Sequence, residues 1–310
     1  MMDIARKLSV KAIVKKLIKS EDYRIITQTE INTRFLDYCI EFFKKVVDAK
    51  INDTDINLDW YRENFVTNDE IDLKDLPIYA GINKKTITNM HNSGRREIVI
   101  EASIENYDTL VEAIEGLLDE HSDIGLNLSL TYKDISVNLN LNESLVVINS
   151  LAVKRAAIRG GAYSAAGKNV EGPLMLTLCK LYSVSEENYS LDIVGGGKAS
   201  TGDFEREIDF FLKSGKNIHK CEVKLMGKGN PESADVFIAR ESRVFIADKL
   251  SETNKKQFDS LDAEWLELRS SNGYRKFEEI LTVLEIPYTV FDYEKLDEMI
   301  DEALDDIFRG

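Results

Sequence analysis

Residues 206–226 read REIDFFLKSGKNIHKCEVKLM, two segments of alternating apolar and polar character joined through Ser214-Gly215-Lys216-Asn217. No other stretch constrains the fold as tightly. Strand side chains alternate between faces, and a short glycine-bearing link folds the second segment back on the first. With the turn centred between Gly215 and Lys216, facing residues have numbers that add to 431, so Asp209 lies opposite Glu222. Lys224 shares the face of Glu222, while Ile208, Phe210 and Val223 point the other way. A slip in register by an even step changes partners and keeps the faces.

Two carboxylates facing each other across a strand pair repel by about 0.2–1 kcal/mol, more when partly buried. A divalent cation between them removes that cost. Magnesium suits such a pair, because it is a hard ion held by one or two carboxylates that keeps waters and binds phosphate oxygens. It lowers the pKa of a bound water and polarises a phosphoryl group. An ammonium at Lys224 then orients the water and stabilises charge on the phosphorus oxygens. Asp209, Glu222 and Lys224 thus compose a centre for phosphodiester hydrolysis. The acid-x-lysine triplet alone is weak, since it recurs at Asp48–Lys50 and Asp72–Lys74, where a helical context makes it a solvated face. Residues 222–224 differ in their strand context, the opposing Asp209, and a further acid upstream. That acid is Glu171, which is expected to open an apolar helix in GKNVEGPLMLTLCKLY and reach the metal region from its first turn. A carboxylate there is equally a favourable charge at a helix N-terminus.

At 310 residues the chain exceeds one typical domain. No apolar run is long enough for a membrane span, and the N-terminus MMDIARKLSV lacks a secretion-signal core. Cys39, Cys179 and Cys221 are odd in number and widely spaced, which points to a reducing cytoplasm and away from a zinc site. His91, His121 and His219 are too scattered to suggest a histidine metal cluster or a Ser-His-Asp triad. The net charge of −15 argues against nucleic acid as a partner, but its distribution does not. Residues 84–96 carry Lys84, Lys85, Arg95 and Arg96, and residues 151–170 carry Lys154, Arg155, Arg159 and Lys168, both without an acid. Residues 292–310 instead hold eight acids. Local basic patches on an acidic background can still bind phosphate.

The pattern predicts helices over residues 1–66, a helix near Tyr107–Asp119, and a β-hairpin in LNLSLTYKDISVNLNL around Lys133-Asp134. Between them, LPIYAGINKKTITNM (76–90) resembles a helix-turn-helix. Gly81 supplies the turn, Ile82 a buried contact and Asn83 the N-cap. Ile87 faces inward, and Lys84, Lys85, Thr88 and Asn89 are left for solvent or a DNA groove. Pro77, where a small helix former is usual, shortens the first helix. A helix capped by Asn142 is expected to run to about Ile158. Further on, VEGPLMLTLCKLY is a helix, REIDFFL, KCEVKLM, RVFIADK and EWLEL are strands, and TNKKQFDSL is a helix. This order gives an α/β domain on a mixed sheet. The division expected is a helical region over 1–120, with the possible helix-turn-helix at 76–92, and a catalytic α/β domain over 121–310. Two glycine-bearing loops are expected at DNA. One is Arg159 to Lys168, with Tyr163 and Ser164; the other is Lys228-Gly229-Asn230. The triple glycine Gly195–Gly197 lacks the Lys-Ser/Thr tail of a P-loop.

A helix acid, a strand Asp and a Glu-x-Lys on the next strand resemble the PD-(D/E)XK nuclease core, with Ile208 in place of the usual proline before Asp209. The stretches RGGAYSAAGK, EGPLMLTLC, REIDFFL and CEVKLMGKGNPESAD, within residues 150–290, resemble the CfrBI-type type II restriction endonucleases. This resemblance implies Mg2+-dependent cleavage of double-stranded DNA at a short palindrome, usually by a homodimer, in a prokaryotic cytoplasm. By motif position it assigns metal binding to Asp209 and Glu222, the catalytic amine to Lys224 and a supporting acid to Glu171. Two other functions fit the same residues: a non-catalytic helix-turn-helix regulator, and a nuclease of branched or damaged DNA.

Overall fold

The computed structural model describes residues 4–51, 58–68, 70–73, 75–120, 125, 128–132, 134–193, 208–225, 237–238 and 241–309; the side chains of residues 5, 49–51, 118, 119, 135, 164, 193, 208 and 209 lie outside that description. Contacts divide the chain into two compact units, residues 29–161 and residues 1–28 together with 162–310. This division differs from the sequence-ordered one expected at residue 120. Val10, Ile13, Val14, Leu17 and Ile18 of helix α1 (Ile4–Ile18) pack into the same core as Leu174, Cys179 and Leu212. The β-hairpin after residue 120 contributes Leu139 to the core that holds Phe42 and Tyr107.

The 29–161 unit is mainly helical. It contains most of α2 (Arg24–Ile51), the short α3 (Leu58–Tyr61) running into a π-turn, α4 (Leu76–Tyr79), α5 (Lys84–His91) and α6 (Arg96–Glu120). The hairpin β1 (Leu128–Tyr132) and β2 (Ile135–Leu139) follows, then the first part of α7 (Leu141–Leu181). Its core is aromatic: Tyr61, Phe65 and Tyr79 meet Phe42 and Tyr107 at centroid separations of 4.9–6.2 Å. The turn between α4 and α5 matches its sequence. Gly81 takes φ +85°, which costs other residues strain, and Asn83 caps α5 by accepting from the Thr86 amide at 2.9 Å. Ile87 is fully buried, and α4 is a single turn with Pro77 at its start.

The other unit carries a five-stranded sheet in the order β3-β4-β5-β6-β7, formed by Tyr189–Ile193, Ile208–Ser214, Asn217–Lys224, Val244–Ala247 and Glu264–Glu267. The first three strands are antiparallel, and β5, β6 and β7 are parallel. One face presents Phe210, Leu212, Cys221, Val223, Val244, Ile246 and Leu266 to the main core, with α1, the end of α7, α9 (Lys276–Val283) and α10 (Leu296–Arg309). On the other face a smaller cluster joins Phe245 and Ala247 to Phe258 of α8 (Glu252–Ser260). The mixed sheet expected from sequence is therefore present, with one additional strand, β3.

Helix α7 departs most from expectation. It was expected as two helices separated by a glycine-rich loop, but runs unbroken for 41 residues from Leu141 to Leu181. Asn140, not Asn142, caps it: Asn140 Oδ1 accepts from the Glu143 amide at 3.0 Å, and Glu143 Oε2 accepts from the Asn140 amide at 2.7 Å. Gly160, Gly161 and Gly167 each cost about 1 kcal/mol relative to alanine. Burial of Ala162, Val170, Leu174 and Leu178 outweighs that, and a Cβ added at any of the three glycines would meet nothing within 4 Å. Arg159 to Lys168 is consequently helix, and Glu171 lies mid-helix, not in a first turn. Pro173 is also inside the helix, and the Thr177 hydroxyl donates to its carbonyl at 2.7 Å.

Candidate active site

Along β5 the side chains alternate as the sequence demands. Cys221 and Val223 enter the main core, while Glu222 and Lys224 emerge on the opposite face, paired in register with Phe245 and Ala247 of β6. A simply solvated face does not describe this site, because Glu222 is only 3% exposed. Lys224 Nζ lies 2.8 Å from Glu222 Oε1 and 3.8 Å from Glu171 Oε1. Glu171 is delivered by α7, which the burial of Val170, Leu174 and Met175 anchors in the core. Two carboxylates thus converge on one ammonium at the C-terminal end of β5. Desolvating such a pair costs as much as its attraction returns, so an apolar pair here would serve stability as well. The chemistry of the groups explains their presence better than stability does.

The hairpin register agrees with the sequence. Gly215 takes φ +58° at the first position of the two-residue turn, as a type II′ turn requires. The recorded pairs run from Ser214↔Asn217 to Phe210↔Cys221, each adding to 431. Asp209 is the next residue on β4, and its recorded partner on the other side is Asp192 of β3. The Asp209 side chain lies outside the described residues. Among the described residues, no three His, Cys, Asp or Glu side chains come together as an ion site. Beside the Lys224 ammonium, the described acids at the centre, Glu222 and Glu171, offer carboxylate oxygens, the donor chemistry of a hard divalent cation.

Of the residues expected at DNA, Lys85 and Asn89 are exposed on α5, Lys84 is half-buried, and the Thr88 hydroxyl donates to the Lys84 carbonyl at 2.9 Å. Arg159 and Lys168 are exposed on α7 and Tyr163 is half-buried there, on a helix and not a loop. The Ser164 side chain, Lys228, Asn230 and Gly195–Gly197 lie outside the described residues. Lys154, from the same basic stretch, is held by Asp75 at 2.7 Å and stands 4.6 Å from the Tyr38 ring centroid, a structural role. Two surface grooves, about 940 and 270 Å3, lie along α6 and between α5 and α6. The larger is lined by Glu97, Glu101, Glu105, Asp108 and Glu112, which would repel phosphate, and neither includes Glu171, Glu222 or Lys224. Asp192 escaped the sequence reading. The alternation of Tyr189, Leu191 and Ile193 with Ser190 and Asp192 was the signal that could have revealed it.

A family model described as CfrBI restriction endonuclease matches residues 7–255, most of the chain. The chain belongs to that family. No curated protein and no solved structure matches it. Membership in the CfrBI restriction endonuclease family makes it a DNA-cleaving hydrolase, of a class that generally uses divalent metal ions. The matched residues include most of α1, all of α5, both hairpins, Glu171 and the Glu222–Lys224 pair. Among the described residues no helix is long and apolar enough to cross a membrane.

Proposed function

We propose that the chain is a Mg2+-dependent type II restriction endonuclease with a PD-(D/E)XK core, hydrolysing phosphodiesters at a short palindrome in double-stranded DNA as a homodimer. The observation that carries this reading is Lys224 Nζ, 2.8 Å from buried Glu222 and 3.8 Å from Glu171, within a member of a restriction endonuclease family. Glu222 and Asp209 are the metal-binding carboxylates. A bound magnesium ion supplies charge neutralisation at the phosphate and a water of lowered pKa. Glu222, fixed by β5 and its burial, presents its carboxylate in one orientation. Lys224 places a proton donor beside the attacking water and the phosphorus oxygens, where a fixed ammonium stabilises developing charge. Glu171 holds that ammonium in place from α7.

Lys84, Lys85, Thr88 and Asn89 of α5 are assigned to DNA, as are Arg159, Tyr163, Ser164 and Lys168 of α7 and Lys228 and Asn230 after β5. The arrangement at 76–92 supports a helix-turn-helix role through its capped α5, buried Ile87 and outward Lys85 and Asn89.

Incubating plasmid DNA with the protein and Mg2+ tests the reading. Discrete fragments are expected. A mobility shift without cleavage would identify a non-catalytic regulator, and nicks or a smear would indicate branched or damaged DNA as substrate.

A further inference from the structure

The β1–β2 hairpin has one face anchored and one face open. Leu128 and Leu130 of β1 and Leu139 of β2 pack on the core that holds Phe42 and Tyr107, and Val137 of β2 is buried. Alternation puts Ser129, Thr131, Ser136 and Asn138 on the other face, and all four are exposed. They form two rungs across the register. Ser129 lies opposite Asn138, and its hydroxyl donates to Asn138 Oδ1 at 2.6 Å. Thr131 lies opposite Ser136, with their hydroxyls 2.8 Å apart.

These four positions carry no charge, in a chain where 31% of residues are charged. Both strands are sheet edges, because the hairpin is a two-stranded sheet. Exposed edges are ordinarily guarded by lysine and other charged side chains. The rungs stabilise the pairing by about 0.2–1 kcal/mol each, but a lysine–glutamate rung would do as much and guard the edge as well. Something other than stability therefore selects hydroxyls and an amide here. The substrate class of the family is DNA, and the parts of DNA sort the side chains that meet them. Phosphates repel carboxylates, and they hold lysine or arginine in any sequence. Hydroxyls and a carboxamide instead match the donors and acceptors of base edges. Asparagine pairs with adenine N6 and N7, and serine or threonine with several bases.

We propose that this face of the hairpin reads base edges in the DNA major groove, with Ser129, Thr131, Ser136 and Asn138 as sequence-determining residues. The inference rests on the reading of the chain as a sequence-specific endonuclease. The major groove is about 12 Å wide and admits a two-stranded ribbon, whose strands lie about 4.8 Å apart. Alternate residues on one strand are about 6.8 Å apart, twice the ~3.4 Å step between base pairs, so each rung meets a different base pair. The inward leucines fix the ribbon on its core, so little conformational freedom is lost on docking.

The test is selection of binding sites from a pool of random-sequence duplexes by the full-length protein, in Ca2+ so that binding is read without cleavage. Kd is then measured on the enriched duplex and on one of unrelated sequence. Wild type is expected to enrich one motif. Asn138→Ala should lose the preference at one position of that motif and bind the wild-type motif at least about fivefold more weakly, the scale of one side chain–base contact. Its Kd for the unrelated duplex should stay within about twofold. Thr131→Val keeps a β-branched side chain and removes only the hydroxyl, so it should relax the motif without unfolding the hairpin. Relaxation in either variant supports the inference, and if Asn138→Ala does not melt cooperatively, Thr131→Val decides alone. Folded variants that enrich the unchanged motif would overturn it and leave the endonuclease reading standing. Equal weakening on both duplexes would also overturn it, because that is the signature of a phosphate contact. Wild type that enriches no motif would overturn both this inference and the sequence-specific reading.

Discussion

Each member of the Glu222–Lys224 pair depends on the other, and the dependence is unequal. Glu222 is almost fully buried, whereas the Lys224 side chain is about one-third exposed. Lys224→Ala leaves a buried carboxylate without the ammonium at 2.8 Å, and breaking one partner of a buried pair typically costs about 3–5 kcal/mol. Glu222→Gln keeps the shape and removes the charge. Thermal melts should therefore show a larger fall for Lys224→Ala than for Glu222→Gln, with the double variant no worse than Lys224→Ala alone. Plasmid cleavage should fall at least about a hundredfold in both single variants, the scale of losing one transition-state contact. Cleavage at the wild-type rate in either would remove these residues from the centre. Gly81 offers a second residue-scale test. At φ +85° a Cβ there would meet Asn149 Nδ2 at 2.5 Å, so Gly81→Ala should lower the melting temperature by strain and overlap together. At this scale the sequence was informative about residue type and face. Alternation placed Glu222 and Lys224 together, but burial of Glu222 depends on contacts that no local pattern encodes.

Elements were legible wherever one short signal fixed both ends. Gly215 at the turn set the β4–β5 register, and Asn83 set the start of α5. Helix α7 was not legible as one element, because Gly160, Gly161 and Gly167 read locally as a loop while the burial that overrides them comes from distant residues. Helix α10 shows the same limit. In the sequence its acids stand only as part of an acidic run, whereas in the fold Asp297, Asp301 and Asp305 pair with Lys19, Lys15 and Lys11 of α1 at 3.0, 2.7 and 2.6 Å, and Asp306 pairs with Lys180 of α7. The hydrogen bond from Lys19 holds the Asp297 carboxyl below its ordinary value of 3.8, and that from Lys11 does the same for Asp305. A carboxyl lowered by folding stabilises the folded state above its unfolded value, and that contribution disappears as pH falls through the folded value. The melting temperature should therefore drop as pH falls below about 4, by less in a Lys11→Met/Lys19→Met variant than in wild type. Parallel pH dependence in the two proteins would show that the α1–α10 pairs contribute nothing. The apolar side of α1 is expected to matter more. Leu17 is fully buried, and Leu17→Ala should cost about 2–5 kcal/mol in chemical denaturation.

The whole molecule is interleaved, and this changes what counts as its catalytic part. The sheet unit needs residues from both ends of the chain, since α1 fills a core shared with α7, α9 and α10. The α1–α10 pairs leave the net charge of −15 as it is, since both partners are counted in it, but they bring lysines of α1 against part of the acidic C-terminal run. A sequence reader cuts chains in order, and composition gives no hint that residues 4–18 belong with residues 162–309. The two divisions make opposite predictions for fragments. A fragment of residues 121–310 keeps every proposed catalytic residue but lacks Val10, Ile13, Val14, Leu17 and Ile18, each at most 3% exposed. Burial of each such side chain contributes about 1.5–3 kcal/mol, so their joint loss is comparable to the entire stability of a domain, about 5–15 kcal/mol. The fragment should be aggregated or molten, with no cooperative melt. Adding a peptide of residues 1–28 should restore a cooperative transition and some Mg2+-dependent cleavage, because the peptide returns both the apolar face and the lysines that meet α10. A 121–310 fragment that melts cooperatively by itself would instead make α1 an accessory to the sheet unit and support the division in sequence order.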